Sequence, residues 1–390
     1  MFHFQDILPY TETTFYIVSA FAIVFTWILK VISHGIGGSK LYSFWLLFIT
    51  MAYTILMYSN PLGIFLFVLY GYLVYRFVSR RQGAWRVVAV TLYVLPLFLN
   101  KFLGVVPDVK TDLRKVLQIA GISYMTFKMV QIHLDESNHG IIRPGRFFLF
   151  LAFTPTILIG PIDRYRRFSD NLQLGFSAIN QDNLVSGLNF FIRGLLYKYV
   201  LAHTIQTLVL NHLDGFGFWM HHLFYMYSYL IYLFFDFAGY SLLAMGLGYM
   251  LGVQVPFNFN SPFLALNPKE FWQRWHKTLG DWLNDFFFRP ILKSLSMKNF
   301  STPLVRQNIA LFATFSLMGC WNGFELHFIL SGMLFGLYSV VHNYYSVQCK
   351  KLKRDVFFGS LPSHLVRAIS IFIMFNLVAF AIYIFSGNII

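Results

Sequence analysis

The sequence predicts an all-α, polytopic integral membrane protein, and two observations support this prediction. Of the 390 residues, 57% are hydrophobic and only 12% are charged, which is about half the charged share of roughly 25% that a soluble domain carries. Apolar runs of about 20 residues, enough for a helix to cross a hydrocarbon core of about 30 Å, recur along the chain. Because so few charged groups cannot cover a water-exposed surface, lipid is expected to be the main solvent.

Ten apolar segments are predicted to cross or enter the membrane, and two of them look like more than one helix. The first run, Tyr16–Val31, follows Asp6 and Glu12 rather than a basic region, so we interpret it as a retained helix and not as a signal peptide. Eleven spans are expected, with some helices re-entrant or only half-crossing. The segments cover residues 14–33, 41–58, 62–78, 85–103, 115–134, 146–162, 184–210, 217–251, 308–345 and 365–386.

The chain is predicted to form a single membrane domain over residues 1–390, because no tandem repeat, low-complexity tract or proline-rich linker divides it. Within it we distinguish N-terminal helices over 1–110, a core over 115–345, and a basic loop with the last helix over 346–390.

The net charge is +14, from 30 Lys and Arg against 16 Asp and Glu. In a membrane protein such an excess is typical of the positive-inside rule and of anionic lipid, which makes nucleic acid a poor candidate partner. Docking of an acidic protein is the alternative explanation. The basic residues Arg164, Arg166 and Arg167 are predicted to lie on the cytoplasmic face, either as a docking surface or as lipid anchors.

No metal site or bound cofactor is expected. Cys320 and Cys349 lie in or beside apolar segments without ligand spacing, and no zinc, haem or phosphate-loop pattern is present.

The least lipid-like part of the core covers residues 258–290, where Asn267 as N-cap and Pro268 predict the start of a helix that continues to Pro290. Such a helix is about 35 Å long. It would be an interfacial helix anchored by tryptophans, with His276 merely packed, or it would dip into a protein-lined cavity. One broad aromatic face and a charged remainder are expected from Trp272, Trp275, His276, Leu279, Trp282 and Leu283, and from Arg274, Lys277, Asp281 and Asp285.

Two further regions place polar groups within apolar sequence. Asp236 lies in a long apolar run, where a carboxylate must face the protein interior, either in a cavity or as a structural hydrogen-bond acceptor. Trp321-Asn322-Gly323 and His327 form the second region, in which polar side chains indicate a lined tunnel and His327 alone is compatible with packing. Nearby glycines favour close helix approach.

Four segments resemble the membrane-bound O-acyltransferase family. They read GISYMTFKMVQIHLD at 121–135, FTPTILIGPIDRYRRF at 153–168, FFDFAGYSLLAMGLGYMLG at 234–252 and FWQRWHKTLGDWLNDFFFRP at 271–290. The second segment points to the branch that transfers D-alanine, whereas the alginate O-acetyltransferase branch shares FDFAGYS and the RWH motif.

The resemblance implies a ring of transmembrane helices around a central funnel or tunnel in the cell membrane. The donor of this branch is D-alanine, held as a thioester on the phosphopantetheine arm of a small acidic carrier protein. The acceptor side lies outside, and the final product is D-alanylated lipoteichoic or wall teichoic acid. Other membrane proteins of the D-alanylation pathway are expected partners, and Trp272, Arg274, Trp275, Asp281, Trp282, Asp236 and Trp321 are expected to line the substrate path.

The resemblance also implies two site histidines, of which His276 is one. The other belongs to a Trp-His-Gly triplet, and here that position is Asn322. Asparagine can donate or accept hydrogen bonds but cannot take up a proton at neutral pH. Three alternatives stay open: His276 acts as the base with Asn322 as an oxyanion donor, His327 has taken over, or the chain is a non-catalytic relative that binds the carrier or forms a channel.

Overall fold

The structure, a computed structural model, is helical throughout its described part and contains no β-strand there, which confirms the all-α prediction. The residues described are 12–33, 38–79, 81, 83–105, 119–135, 140–354 and 362–388. The start of the predicted span 115–134 lies outside them.

Many of the helices begin at an asparagine, threonine or proline, residues that favour the N-terminus of a helix. In chain order they are α1 (Thr13–Ile32), α2 (Gly38–Met57), α3 (Pro61–Val78), α4 (Ala84–Val105), α5 (Ile122–Leu134), α6 (Pro144–Ala152), α7 (Tyr165–Leu174), α8 (Gln181–Leu195), α9 (His203–Leu208), α10 (Phe218–Met250), α11 (Pro268–Arg274), α12 (Lys277–Leu283), α13 (Arg289–Met297), α14 (Pro303–Asn322), α15 (Leu326–Lys351) and α16 (Ser363–Phe385). A π-helical turn, Leu196–Ala202, joins α8 to α9, and another, Asn284–Phe288, joins α12 to α13.

Seven of the described helices are long and apolar enough to cross a membrane, as a polytopic protein requires. They are α1, α2, α3, most of α4, α10, α15 and α16. The predicted total of eleven spans stays a prediction.

Two of the predicted segments differ from the helices observed, and a third is divided into two helices, as was expected of two segments. Segment 146–162 contains only α6, whose nine residues are about 13 Å long and too short to cross the hydrocarbon core. Segment 308–345 contains two helices, α14 and α15, whereas segment 217–251 is one helix of 33 residues.

Residues Met1–Leu196 and Gly239–Pro256 form one compact unit. Hydroxyl groups link its helices, since the Tyr53 hydroxyl donates to Ser19 Oγ at 2.6 Å and the Trp45 indole donates to Thr26 Oγ1 at 2.8 Å. The buried Lys128 donates to the Phe150 carbonyl and to Thr156 Oγ1, each at 3.0 Å. These three side chains thus satisfy their polar groups between helices, as an apolar environment favours.

Residues Tyr197–Ala238 and Phe257–Ile390 form the second unit, which contains His276, Asp236, Asn322 and His327. In this unit α14 and α15 approach at two glycines. A Cβ added to Gly332 would lie 2.6 Å from the Phe315 carbonyl oxygen and 2.7 Å from Gly319 Cα. The prediction of close helix approach at these glycines is confirmed.

Gly332→Ala is therefore expected to force α14 and α15 apart and to lower the free energy of unfolding by about 1–3 kcal/mol, the usual cost of overpacking. The measurement is denaturant unfolding of the purified protein in detergent. Gly215→Ala is the control, because an added Cβ there meets nothing within 4 Å. Equal stability of the two variants would contradict the close contact.

Candidate functional site

The helix predicted from Pro268 to Pro290 begins as expected, with Asn267 Oδ1 accepting from the Glu270 amide at 2.9 Å, but it is not continuous. α11 ends at Arg274, and His276 adopts the left-handed conformation, with φ 43° and ψ 49°, before α12 starts. The single aromatic face was therefore a wrong prediction. A left-handed residue other than glycine costs of order 1–3 kcal/mol and persists only where the surroundings hold it.

A segment outside the helices, 258–260, contacts the backbone on both sides of this break. The Asn260 amide donates to the Arg274 carbonyl at 2.9 Å, and the Lys277 amide donates to the Asn258 carbonyl at 2.9 Å. These two bonds satisfy backbone groups that the interrupted helix leaves open, so the break is part of the fold.

The imidazole of His276 is 4% exposed and lies edge-on to Phe237, with ring centroids 4.7 Å apart. Its Nδ1 is 3.0 Å from Asn258 Oδ1, whereas its Nε2 is buried and has no hydrogen-bond partner among the described residues. Burial lowers the pKa of this histidine to about 3, because the charged form loses its solvation. His276 is thus a neutral imidazole with one open nitrogen, and not a snorkelling residue.

The three tryptophans of this region pack against phenylalanine rings of the same unit. Trp272 packs against Phe315 of α14 and Phe335 of α15, and its indole nitrogen is buried without a partner in the described part of the chain. Trp282 is buried beside Phe286. Trp275 is buried and follows the same pattern, with ring contacts to Phe234, Phe259, Phe263 and Phe271.

The predicted charged residues of this region are neutralised within their own helices. Arg274 pairs with Glu270 at 2.5 Å, and Lys277 pairs with Asp281, both at i,i+4 spacing. The charges of Arg274 and Asp281 are therefore balanced by neighbours. Direct contact of these residues with substrate stays a prediction.

Asp236 has a charged partner, Lys198, that was not among the predicted site residues. Its carboxylate forms an ion pair with Lys198, which belongs to the π-helical turn after α8. The side chains of Lys198 and Asp236 are only 11% and 18% exposed. The expectation that this carboxylate faces the protein interior is met. Pairing with Lys198 lowers the free-energy cost of placing its charge in an apolar run.

The turn between α14 and α15 holds the remaining candidates. α14 ends at Asn322, next to Trp321, and extended backbone at Gly323 separates it from α15. The Asn322 amide group donates to the Met318 carbonyl at 2.9 Å. His327 packs on Phe328 and lies beside Gly387, contacts that favour the packing interpretation of this residue.

The basic residues Arg164, Arg166 and Arg167 lie in the first unit, and their contacts differ. Arg167 Nε donates to the buried Asp163 carboxylate at 2.7 Å, and the Arg164 amide donates to the same oxygen at 2.7 Å. Arg166 is exposed. Arg166 is therefore the member of this cluster best placed to meet a partner or lipid.

Within the described ranges, no group of three or more His, Cys, Asp or Glu side chains is arranged to hold a metal ion. The buried His276 is instead contacted by the Asn258 amide group and by the Phe237 ring.

The chain matches the model of MBOAT, the membrane-bound O-acyltransferase family, over residues 41–385. It belongs to this family. The match extends from α2 to the end of α16 and includes all three candidate residues His276, Asn322 and His327. The chain is accordingly a membrane-embedded member of an acyltransferase family.

Curated relatives agree with this family assignment. The chain is 34% identical to the teichoic acid D-alanyltransferase of Bacillus subtilis (strain 168), over 97% of this chain and 98% of that protein. It is also 34% identical to the teichoic acid D-alanyltransferase of Streptococcus thermophilus, over 82% of this chain and 80% of that protein. A probable alginate O-acetylase of Pseudomonas aeruginosa is 31% identical over 61% of this chain and 44% of that protein.

Proposed function

We propose that this O-acyltransferase transfers D-alanine from a thioester on the phosphopantetheine arm of an acidic carrier protein toward teichoic acid outside the cell. The observation that carries the proposal is the buried, neutral His276 with its open Nε2. The similarity to two teichoic acid D-alanyltransferases over most of the chain supports the choice of acyl group.

In the proposed reaction, His276 Nε2 takes the proton of the acceptor hydroxyl as that oxygen attacks the thioester carbonyl carbon. The carbon–oxygen bond forms, the carbon–sulfur bond breaks, and the proton passes from the imidazole to the departing thiolate. No net charge is produced, so a site that excludes water can complete the transfer. General-base assistance of this kind contributes about 10²–10⁴-fold.

The proposed architecture is a ring of about eleven spans around a funnel, with donor and acceptor meeting from opposite faces. The basic face, including the exposed Arg166, would receive the acidic carrier. Other membrane proteins of the pathway would complete the route to the polymer. The thioester arm is supplied with the substrate, and no cofactor is resident.

Asn322 is proposed to donate a hydrogen bond to the developing oxyanion, because an amide is a donor but not a base. The same amide group donates to the Met318 carbonyl, which fixes its position at the end of α14. His327 as base and a non-catalytic scaffold are the competing proposals.

The test is D-alanine transfer from loaded carrier protein into membranes that contain wild-type protein, Asn322→His or His327→Ala. Transfer by wild type and by His327→Ala at rates within about threefold of each other is expected. Loss of transfer in His327→Ala would assign the base to His327. No transfer by wild type, with transfer appearing in Asn322→His, would establish the scaffold.

Acetyl transfer to a surface polysaccharide is the second candidate, favoured by the similarity to a probable alginate O-acetylase. Such an enzyme has no need of the acidic carrier. A pull-down with the D-alanyl carrier distinguishes the two candidates. Capture of the carrier supports D-alanyl transfer. No capture, together with acetyl transfer from an acetyl thioester, supports the acetyltransferase.

A further inference from the structure

We propose that Asn258 is a positioning residue for the reaction: its side-chain oxygen fixes the tautomer and the orientation of the His276 ring, so that Nε2 is left to accept the proton. This inference rests on the proposed function, in which His276 is the base. Asn258 is 1% exposed and lies 18 residues before His276 in the chain.

The orientation of the Asn258 amide follows from its neighbours. The Thr278 backbone amide, which can only donate, points at Asn258 Oδ1 at 3.3 Å, and the Thr278 hydroxyl lies 2.8 Å from the same atom. A group that receives a backbone N–H must be the carbonyl oxygen and not the amide nitrogen. Oδ1 is therefore an acceptor.

The tautomer of His276 follows in turn. Since Oδ1 is an acceptor, His276 Nδ1, at 3.0 Å, must carry the hydrogen and donate it. A neutral imidazole has one N–H and one lone pair, so the lone pair lies on Nε2. Nε2 is the atom that is buried without a partner among the described residues, which is the state a general base needs before substrate arrives.

Asn258 also holds the backbone from which the ring projects. Its carbonyl accepts from the Lys277 amide at 2.9 Å, directly after the left-handed His276. One residue thus fixes the main chain on one side of the break and the ring itself. The direction of the Nε2 lone pair is therefore set by two contacts, one to the ring and one to the backbone, and both come from Asn258.

Asn258, the partner of the His276 ring, is uncharged, and the charged side chains near this histidine are paired. On either side of His276, Arg274 pairs with Glu270 and Lys277 pairs with Asp281. On α10, Asp236 pairs with Lys198, and the next residue, the uncharged Phe237, contacts the His276 ring. A carboxylate in place of the amide would instead favour the protonated ring. An asparagine orients the imidazole without charging it.

The experiment compares kcat and KM of D-alanyl transfer in Asn258→Leu, Asn258→Asp and the wild type. Asn258→Leu is expected to lower kcat about 100-fold with the KM for the carrier unchanged, because the imidazole loses the contact that fixes its tautomer and orientation. Asn258→Asp keeps an acceptor for Nδ1 and is expected to recover kcat to within about tenfold at pH 8. Asn180→Leu, which removes an asparagine cap from α8, is the matched control and should leave kcat unchanged.

The pH profile separates positioning from simple stabilisation. In the wild type, the base stays neutral above pH 3, so kcat should be flat between about pH 5 and 8. In Asn258→Asp the added carboxylate raises the pKa of His276, so the neutral fraction falls as pH drops through the raised value and kcat falls with it. A flat profile in Asn258→Asp would overturn the proposal.

Nitrogen-15 NMR of histidine-labelled protein reads the tautomer without any turnover, with His276→Gln assigning the signal. A protonated Nδ1 and an unprotonated Nε2 in the wild type, lost in Asn258→Leu, are expected. The opposite tautomer would overturn the inference, even if transfer is active. The expected tautomer in a protein that transfers nothing would leave the positioning intact and remove the proposed function.

Discussion

His276→Ala is expected to lower kcat for D-alanyl transfer by about 10²–10⁴-fold, the usual contribution of a general base. The physical reason is that Nε2 is the open, buried proton acceptor and that its neutral form persists at working pH. The measurement is single-turnover transfer from loaded carrier, corrected for the amount of folded protein. His342→Ala is the matched control, because it removes another partly buried histidine of the same unit.

Chemical rescue sharpens this prediction. Removing a buried ring leaves a cavity, so added imidazole should restore part of the rate in His276→Ala and none in the wild type. A variant that loses less than threefold would place the base elsewhere and return His276 to a packing role.

Asp236→Leu is expected to lower the free energy of unfolding by about 3–5 kcal/mol, because it leaves the Lys198 ammonium buried without its counter-ion. The side chains of both residues are mostly shielded, so solvent cannot replace the lost partner. The measurement is denaturant unfolding in detergent micelles.

The double variant Lys198→Met/Asp236→Leu provides the internal comparison and should recover most of the loss, since apolar side chains of similar size replace both charges. Lys277→Met, which breaks an exposed pair with Asp281, should cost only about 0–1 kcal/mol. Similar losses in Asp236→Leu and in the double variant would show that the pair itself contributes little.

Much of the fold follows from the sequence because it depends on local and compositional properties. Apolar length predicts the long helices, and the cap at Asn267 marks the start of α11 at the residue observed. The break at His276 does not follow from local sequence. The break is held by segment 258–260, which donates a backbone hydrogen bond on one side of it and accepts one on the other. Helical periodicity carries no information about such a tertiary contact.

The candidate site shows the same division. His276 and the tryptophans follow from the sequence motif, whereas Asn258 does not, since its role appears only when Thr278 and the His276 ring are placed around its oxygen. Lys198 is different, because the argument applied to Asp236 holds for a lone lysine in LLYKYVLA as well. Two opposite charges in successive apolar segments are a usable signal for a pair.

The ion pair between Lys198 and Asp236 also constrains how the chain enters the bilayer. Lys198 is synthesised 38 residues before its partner, so at about 5–20 residues per second it waits roughly 2–8 seconds for a counter-ion. An unpaired ammonium is costly in lipid, so the segment that carries it must stay in an aqueous or protein-lined place until α10 arrives. The two segments are therefore expected to enter the lipid together, as a helical hairpin in which Lys198 and Asp236 are already paired.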